Sequence, residues 1–211
     1  MAVPAEMTIA TLSGQFVPNK ALSDDADSSL ALQGVPWLLR KGISLASPKF
    51  VLSQATEDGT AVVSITVSGV GSGVTEKRVL NWEPVEGKNP LFGKTESEFE
   101  PYLMLLWDSS PISSARSRLY TSPLQRSESH SEEDIKFLNA ETFKNGAPSS
   151  WAEDTESQHL HCIITNSEAG WTMEQVWGFE ELDGKKYHTR RSIVKKGEAV
   201  ERGKLVYNYS S

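Results

Sequence analysis

The chain is poor in cysteine: Cys162 is the only one among its 211 residues, so no disulfide can form within it. Disulfides persist in oxidising compartments, and one lone cysteine favours a reducing environment. No apolar run is long enough to span a bilayer, which argues against membrane insertion. Residues 1–10 lack the basic start and long apolar stretch of a secretory signal. From the sequence alone we expect a cytoplasmic protein.

Positive charge is in deficit as well. The chain has 21 Lys and Arg residues against 28 Asp and Glu, a formal net charge of −7 at pH 7. Nucleic acids and anionic membrane surfaces attract basic proteins, so this balance disfavours both as partners. The charge says nothing about the oligomeric state.

Recognisable catalytic motifs are also missing. The chain has no Gly-x-Ser-x-Gly nucleophile elbow, and no pair of carboxylates has a spacing that assigns acid and base roles. Gly69, Gly71 and Gly73 indicate a turn rather than a phosphate loop, because their spacing is wrong and no helix follows. We therefore expect no cofactor.

The N-terminal part of the chain predicts one strand followed by two short helices. The strand covers 13–22, and the helices cover 28–35 and 37–45. A polar cluster before the first helix supplies its N-cap, and Pro36 suits the first turn of the second helix, where its missing N–H costs nothing.

After Pro48 the apolar residues recur with a period of two, which indicates strands. Predicted strands cover 49–54, 61–67, 74–83, one or two within 94–107, then 158–165, 171–180, 185–195 and 199–209. Strands separated by short turns are typical of an all-β, up-and-down antiparallel barrel. Closing the sheet removes its exposed edges, and a barrel of this size leaves room for a small ligand.

Residues 108–157 differ in composition from the rest of the chain. They are rich in Ser, Pro and charged residues, and β-branched residues are few. We interpret them as a loop-rich insertion within a single domain that spans 1–211. Within it, Ser131 and the acidic residues that follow predict a short capped helix that ends near Ala140.

Several residues near the two ends of the chain point to a known family. They are Gly14 and Phe16 of the first strand, the segment GVPWLLRK at 34–41, Ala46, Pro48 and, near the C-terminus, Tyr207. In these positions the chain resembles the fatty-acid-binding, intracellular lipid-binding branch of the calycins. The resemblance implies a flattened barrel of about ten strands, a two-helix lid and an interior cavity for an apolar molecule.

The chain departs from that family in two respects. The family commonly holds a carboxylate with an arginine two residues before the last-strand tyrosine, and here that position is Leu205. Lys204 is adjacent but points to the other face of a strand. The compact carriers also lack the insertion. Calycin relatives of fungal natural-product pathways hold a flexible polyene while it cyclises, so the resemblance implies this function too.

Two of the predicted strands carry the candidate site. Alternation over 171–180 gives one aromatic-rich face, which is either plain core or the wall of a ligand cavity with one hydrogen-bonding amide. Strand 185–195 is polar on both faces, so either Arg190 or Arg191 points inward. An inward arginine would polarise a ligand carbonyl or carboxylate, because a buried guanidinium needs an acceptor. Two solvated surface arginines are the alternative.

A metal site is a weaker candidate. His159 and His161 share a strand face, and a His-x-His pair can begin a zinc site. A third ligand such as His188 would be needed, and nothing local supplies one. We expect no metal here.

Three functions follow from these residues. The predicted ligand-binding residues are Trp37, Trp171, Met173, Trp177, Phe179, Tyr187, His188 and Tyr207, and the candidate catalytic residues are Arg190, Arg191 and Gln175. The favoured function is a cofactor-free cyclase that folds a polyketide or terpenoid for a Diels–Alder-type reaction, by orientation and one hydrogen bond. The alternatives are a passive lipid carrier and a solid barrel that acts through its surface.

Overall fold

The structure, a computed structural model, describes residues 1–68, 74–87, 113–120, 124, 130–152 and 158–210. Within these ranges ten strands form one antiparallel sheet: β1 (Gly14–Pro18), β2 (Lys49–Glu57), β3 (Thr60–Ser68), β4 (Val74–Val79), β5 (Val85–Gly87), β6 (Ser113–Tyr120), β7 (His159–Asn166), β8 (Trp171–Leu182), β9 (Lys185–Lys196) and β10 (Ala199–Ser210). The sheet order is β4-β3-β2-β1-β10-β9-β8-β7-β6-β5.

The sheet curls so that its two edges approach each other. Asn81, just after β4, forms an isolated antiparallel bridge with Arg118 of β6. Next to it the Trp82 N–H donates to the Ser117 carbonyl at 2.8 Å. The predicted up-and-down barrel of about ten strands is therefore confirmed, and its apolar core lies inside the curled sheet.

The predicted helical pair is also confirmed, as α1 (Asp27–Leu32) and α2 (Trp37–Leu45). Gly34 lies between them with a φ of +91°, a conformation that favours glycine after a helix end. Asp27 and Arg40 join the two helices through an ion pair of 3.0 Å. The helices connect β1 to β2, so they cover the end of the barrel where β1 leaves and β2 enters.

The opposite end of the barrel is closed by the N-terminal segment, which the sequence analysis did not predict. Its buried side chains are Val3, Met7, Ile9 and Leu12, and all belong to the barrel core. Lys186 of β9 fixes this segment, since its Nζ donates to the Met7 carbonyl at 2.7 Å and its own carbonyl accepts from the Val3 N–H at 2.9 Å. The N-terminal segment therefore fills one end of the barrel, and the cavity lies at the other end, beside the two helices.

The segment 130–152 packs on the outside of the barrel. It contains α3 (Glu132–Leu138), which Ser131 caps by accepting from the Asp134 N–H at 3.1 Å. This matches the predicted capped helix. Phe137 and Leu138 pack with Val176 of β8 and Ile193 of β9 on the outer face of the sheet.

One part of the predicted loop-rich insertion is a strand. Over Ser113–Tyr120 the expectation of a loop is wrong, because β6 pairs with β7 along its full length. Its sequence alternates small or apolar residues with arginines, and Ala115 and Leu119 pack against the core. The predicted strands within 94–107 lie outside the described residues. No helix in the described ranges is long and apolar enough to cross a membrane.

Candidate functional site

A cavity of about 320 Å³ lies between the two helices and the open end of the barrel. Leu30 and Ile43 line it from the helices, and Phe50, Leu205 and Tyr207 line it from the barrel. The volume is at the lower end of the range of about 300–1,000 Å³ that is usual for small-molecule sites. The geometry is therefore that of an apolar chamber under a helical lid.

The rim of this chamber is polar. It includes Lys20, Asp24, Asp25, Asp27 and Arg40. A second, smaller cavity of about 40 Å³ shares Leu30 and Leu205 with the first and is bordered by Met173 and Gln175 of β8. Together the two cavities bring the predicted residues Tyr207, Met173 and Gln175 to one end of the barrel.

A cluster of polar and aromatic side chains lies behind Tyr207 inside the barrel. The His188 ring is stacked on the Tyr207 ring, with centroids 5.4 Å apart and an interplanar angle of 27°. The Cζ of Arg190 lies 3.7 Å from the Trp177 ring centroid and 4.7 Å from that of Tyr207. All four side chains are buried. The register of β9 thus points His188 and Arg190 inward.

The hydrogen bonds of His188 fix its protonation. Its Nδ1 lies 3.1 Å from the Gly178 carbonyl, which can only accept, so Nδ1 carries the proton. Its Nε2 accepts from the Nε–H of Arg190 at 3.1 Å. Burial and the adjacent Arg190 charge hold the pKa of His188 well below its usual value, so the ring is neutral at pH 7.

The hydroxyl of Tyr207 is held as a neutral donor. Burial raises the pKa of Tyr207, and Arg190 opposes that rise by its charge and by a side-chain hydrogen bond. A guanidinium has no acceptor, so it donates to the phenolic oxygen. The O–H proton is therefore not used in this bond, and the phenol is polarised by the cation behind it. Such a group can donate to a carbonyl oxygen of a ligand.

A second interior arginine, Arg78, was not among the residues predicted from the sequence. Arg78 of β4 is 5% exposed and forms an ion pair of 2.9 Å with Glu76. Its Cζ lies 5.8 Å from the Trp177 ring centroid. Burial lowers the pKa of Arg190 to about 10, and the charge of Arg78 adds to this effect, so Arg190 stays charged at neutral pH. The signal was available: residues two apart on a strand share a face, and Glu76 and Arg78 are an opposite-charge pair at that spacing.

Arg191 points to the outer face, where the segment 130–152 covers it completely. All five of its N–H donors have protein acceptors. Its Nε and Nη2 donate to the two carboxylate oxygens of Glu180 at 2.9 Å each. The remaining three donate to the Phe137 and Thr142 carbonyls and to the Ser149 hydroxyl at 2.6–2.9 Å. Arg191 therefore has no donor left for a ligand, and its place is that of an anchor for the outer segment.

The other predicted site residues divide into two groups. Those inside the barrel are Trp171, Met173, Trp177, Phe179 and, between the core and the smaller cavity, Gln175. The Gln175 Oε1 accepts from the Trp177 Nε1–H at 3.1 Å. Tyr187 is on the same face of β9 as Arg191, and Trp37 is 61% exposed on the lid and is not part of the cavity lining.

The three histidines considered as zinc ligands do not meet. His159 and His161 lie on the outer face of β7, where His161 contacts Glu174, whereas His188 lies inside the barrel against Trp177 and Tyr207. In the described part of the chain, no group of three or more His, Cys, Asp or Glu side chains is arranged to hold a metal ion.

Comparison with known proteins gives two curated relatives, and no family model matches the chain. The probable pericyclase scpY of Mollisia scopiformis is 29% identical over 213 residues, which cover 99% of this chain and 94% of that protein. Pericyclase pydY of an Acremonium species is 27% identical over 214 residues, which cover 99% of this chain and 97% of that protein. Both relatives are fungal, in agreement with the natural-product-pathway type of the resemblance.

Solved structures of lipid-binding proteins are similar over most of the chain. A Schistosoma mansoni fatty acid binding protein in complex with arachidonic acid has a TM-score of 0.47 at 12% identity, and the match covers 97% of this chain and 100% of that one. Human cRBP IV has a TM-score of 0.44 at 14% identity, over 95% and 99%. The predicted calycin-like fold is confirmed by the strand order and the helical pair of this chain.

Proposed function

We propose that this protein is a pericyclase that folds a linear natural-product precursor under its helical lid and accelerates an intramolecular Diels–Alder-type cyclisation. The observation that carries the proposal is Tyr207, which lines the cavity and whose hydroxyl oxygen accepts a hydrogen bond from Arg190. The two curated relatives named pericyclases support it, because each aligns over nearly the whole chain.

This reaction requires from the protein only a cavity of suitable shape and one hydrogen-bond donor. In such a reaction a conjugated diene and an alkene of the same molecule form two carbon–carbon bonds, and no atom leaves. Holding the two in contact removes much of the entropic cost of the step. A hydrogen bond from Tyr207 to a carbonyl conjugated with the alkene withdraws electron density from it, which lowers the barrier. Loss of one well-placed donor of this kind typically costs about 100-fold in rate.

The lining of the cavity fits this kind of substrate. Leu30, Ile43, Phe50 and Leu205 form apolar walls that a hydrocarbon chain can fill. The polar rim faces the solvent end, where it can contact the oxygen-bearing part of a precursor. We propose an apolar small molecule as the partner rather than a nucleic acid, and a cytoplasmic location, on the basis of the charge and the lone cysteine.

The test is to purify the protein, extract it with organic solvent and identify the bound compound by mass spectrometry. A cyclised polyketide or terpenoid supports the proposal. Incubation with a synthetic linear precursor that carries a diene and an enone should then yield the same ring system. A bound fatty acid, together with a precursor that is recovered unchanged, would instead establish a passive carrier.

A further inference from the structure

We infer that His188 is a positioning residue, which orients the Arg190 guanidinium and through it the Tyr207 hydroxyl. The inference rests on the proposed function, because the donor that it serves is the one assigned to the substrate carbonyl. His188 itself does not line either of the cavities described above. Its role would therefore be exerted through its neighbours.

Aromatic rings hold the imidazole of His188 on several sides. The rings of Phe16, Trp177 and Phe179 contact it at angles of 59–69°, with centroids 5.4, 5.9 and 5.7 Å away. The Tyr207 ring is stacked on its face. His188 is completely buried. With its ring packed in this way, the imidazole cannot turn without displacing the core.

The main chain then decides which nitrogen accepts. The Gly178 carbonyl belongs to β8 and takes the Nδ1–H of His188, which leaves a single in-plane lone pair on Nε2. The Nε–H of Arg190 donates to that lone pair. A guanidinium is planar, so fixing one N–H bond fixes the plane and direction of the other four. Those are the donors available to the Tyr207 oxygen.

Because the acceptor His188 is neutral, it does not neutralise the positive charge of Arg190. Glu180 orients the outward Arg191, but its carboxylate also neutralises that cation. The neutral His188 orients Arg190 and leaves its positive charge in place. A full positive charge polarises the Tyr207 hydroxyl more strongly than a neutralised ion pair would, because the buried site screens charge poorly. A histidine therefore orients the Arg190 guanidinium and does not weaken the effect of its charge on Tyr207.

The first test uses the free protein and does not depend on turnover. Nitrogen-15 NMR of the imidazole side chains should show His188 as the neutral Nδ1–H tautomer at pH 7. The Arg190 Nε–H should be protected from solvent exchange in the wild type and in His188→Gln, and unprotected in His188→Phe. An Nε2–H tautomer, or equal protection in both variants, would overturn the inference.

The second test separates positioning from folding. His188→Phe keeps a ring without an acceptor, His188→Gln restores an acceptor, and His188→Glu adds a negative charge to it. We expect kcat on the linear precursor to fall at least about 10-fold in the Phe and Glu variants with KM within about 3-fold, and to recover most of this loss in the Gln variant.

The outcomes also distinguish this inference from the proposed function. If kcat in the three variants simply follows their urea midpoints, His188 is a structural residue and the inference fails. If the wild type converts no linear precursor, the proposed function fails. In that case the tautomer and the Arg190 exchange rates still decide whether His188 positions the guanidinium.

Discussion

Replacing Arg191 by methionine tests how the outer segment is held on the barrel. Arg191 is completely buried, and its two bonds to Glu180 form a bidentate ion pair. Removing one partner of a buried pair costs about 3–5 kcal/mol, because the other charge is left in a poorly solvated site. Glu180 keeps the Lys204 ammonium at 3.7 Å and the Thr189 hydroxyl at 3.0 Å, which favours the lower part of this range. The Phe137 and Thr142 carbonyls lose their donor, which adds to the cost.

A double variant separates the stranded charge from the lost packing. Arg191→Met with Glu180→Leu removes both charges of the pair, and an apolar pair in place of a buried ion pair is often neutral or stabilising. Lys204 and the Thr189 hydroxyl, which also contact the Glu180 carboxylate, lose that partner in the double variant. We therefore expect the double variant to be more stable than the single one by at least about 1 kcal/mol. The two orphaned carbonyls should keep it below the wild type.

Urea unfolding followed by tryptophan fluorescence gives the free energies, and trypsin cleavage within 130–152 reports local release of the segment. We propose that residues 1–211 form one domain, so unfolding should remain a single transition in the wild type. Lys136→Met is the control: its ion pair with Glu132 is exposed to solvent, and we expect no measurable change in the free energy of unfolding. A loss under about 1 kcal/mol in Arg191→Met, or a double variant no better than the single, would refute the reasoning.

Three further predictions concern other buried groups. Burial lowers the pKa of His159 to about 4, so the unfolded chain binds that proton more tightly and the free energy of unfolding falls as the pH decreases from 6.5 towards 4. In His159→Phe the free energy of unfolding, measured with urea, should depend less steeply on pH in that window, and an equal dependence in wild type and variant would contradict this. A Cβ on Gly178 would come within 2.7 Å of the Trp151 ring and 2.9 Å of the His159 Nδ1, so Gly178→Ala should cost about 1–3 kcal/mol in urea unfolding, and an unchanged free energy of unfolding would contradict this. Trp177→Ala should lower the affinity for a bound cyclised product, measured by calorimetry, by more than it lowers the free energy of unfolding; an equal loss of both would make Trp177 a core residue alone.

The sequence predicted the sheet well because its turns and its period-two alternation are local signals. Asp58-Gly59 and Asp183-Gly184 supply the positive φ values that tight hairpins need, and both pairs join neighbouring strands. The inward face of β8 was likewise predicted, because four of its five alternating residues are aromatic or apolar and the fifth is the amide Gln175. Such patterns depend only on residues that are close in sequence.

The candidate site was harder to predict because it depends on contacts between distant parts of the chain. Both faces of β9 are buried, one by the barrel and one by the segment 130–152, so polarity could not select between Arg190 and Arg191. The acceptors of Arg191 lie 11 to 54 residues away in the sequence. The N-terminal segment was missed for the same reason, since residues 1–12 show no strand or helix period before they pack against the barrel.

The most direct test of the pericyclase proposal is the stereochemistry of the ring that forms from a linear diene–enone precursor, followed by chiral chromatography against the uncatalysed reaction. With the wild-type protein we predict faster formation of a single stereoisomer, and with Tyr207→Phe the same isomer at a rate about 100-fold lower, since the shape of the chamber remains while its donor is lost. A mixture of isomers formed at the uncatalysed rate would contradict the account, because a chamber that neither selects a fold nor polarises the carbonyl is not catalysing the reaction.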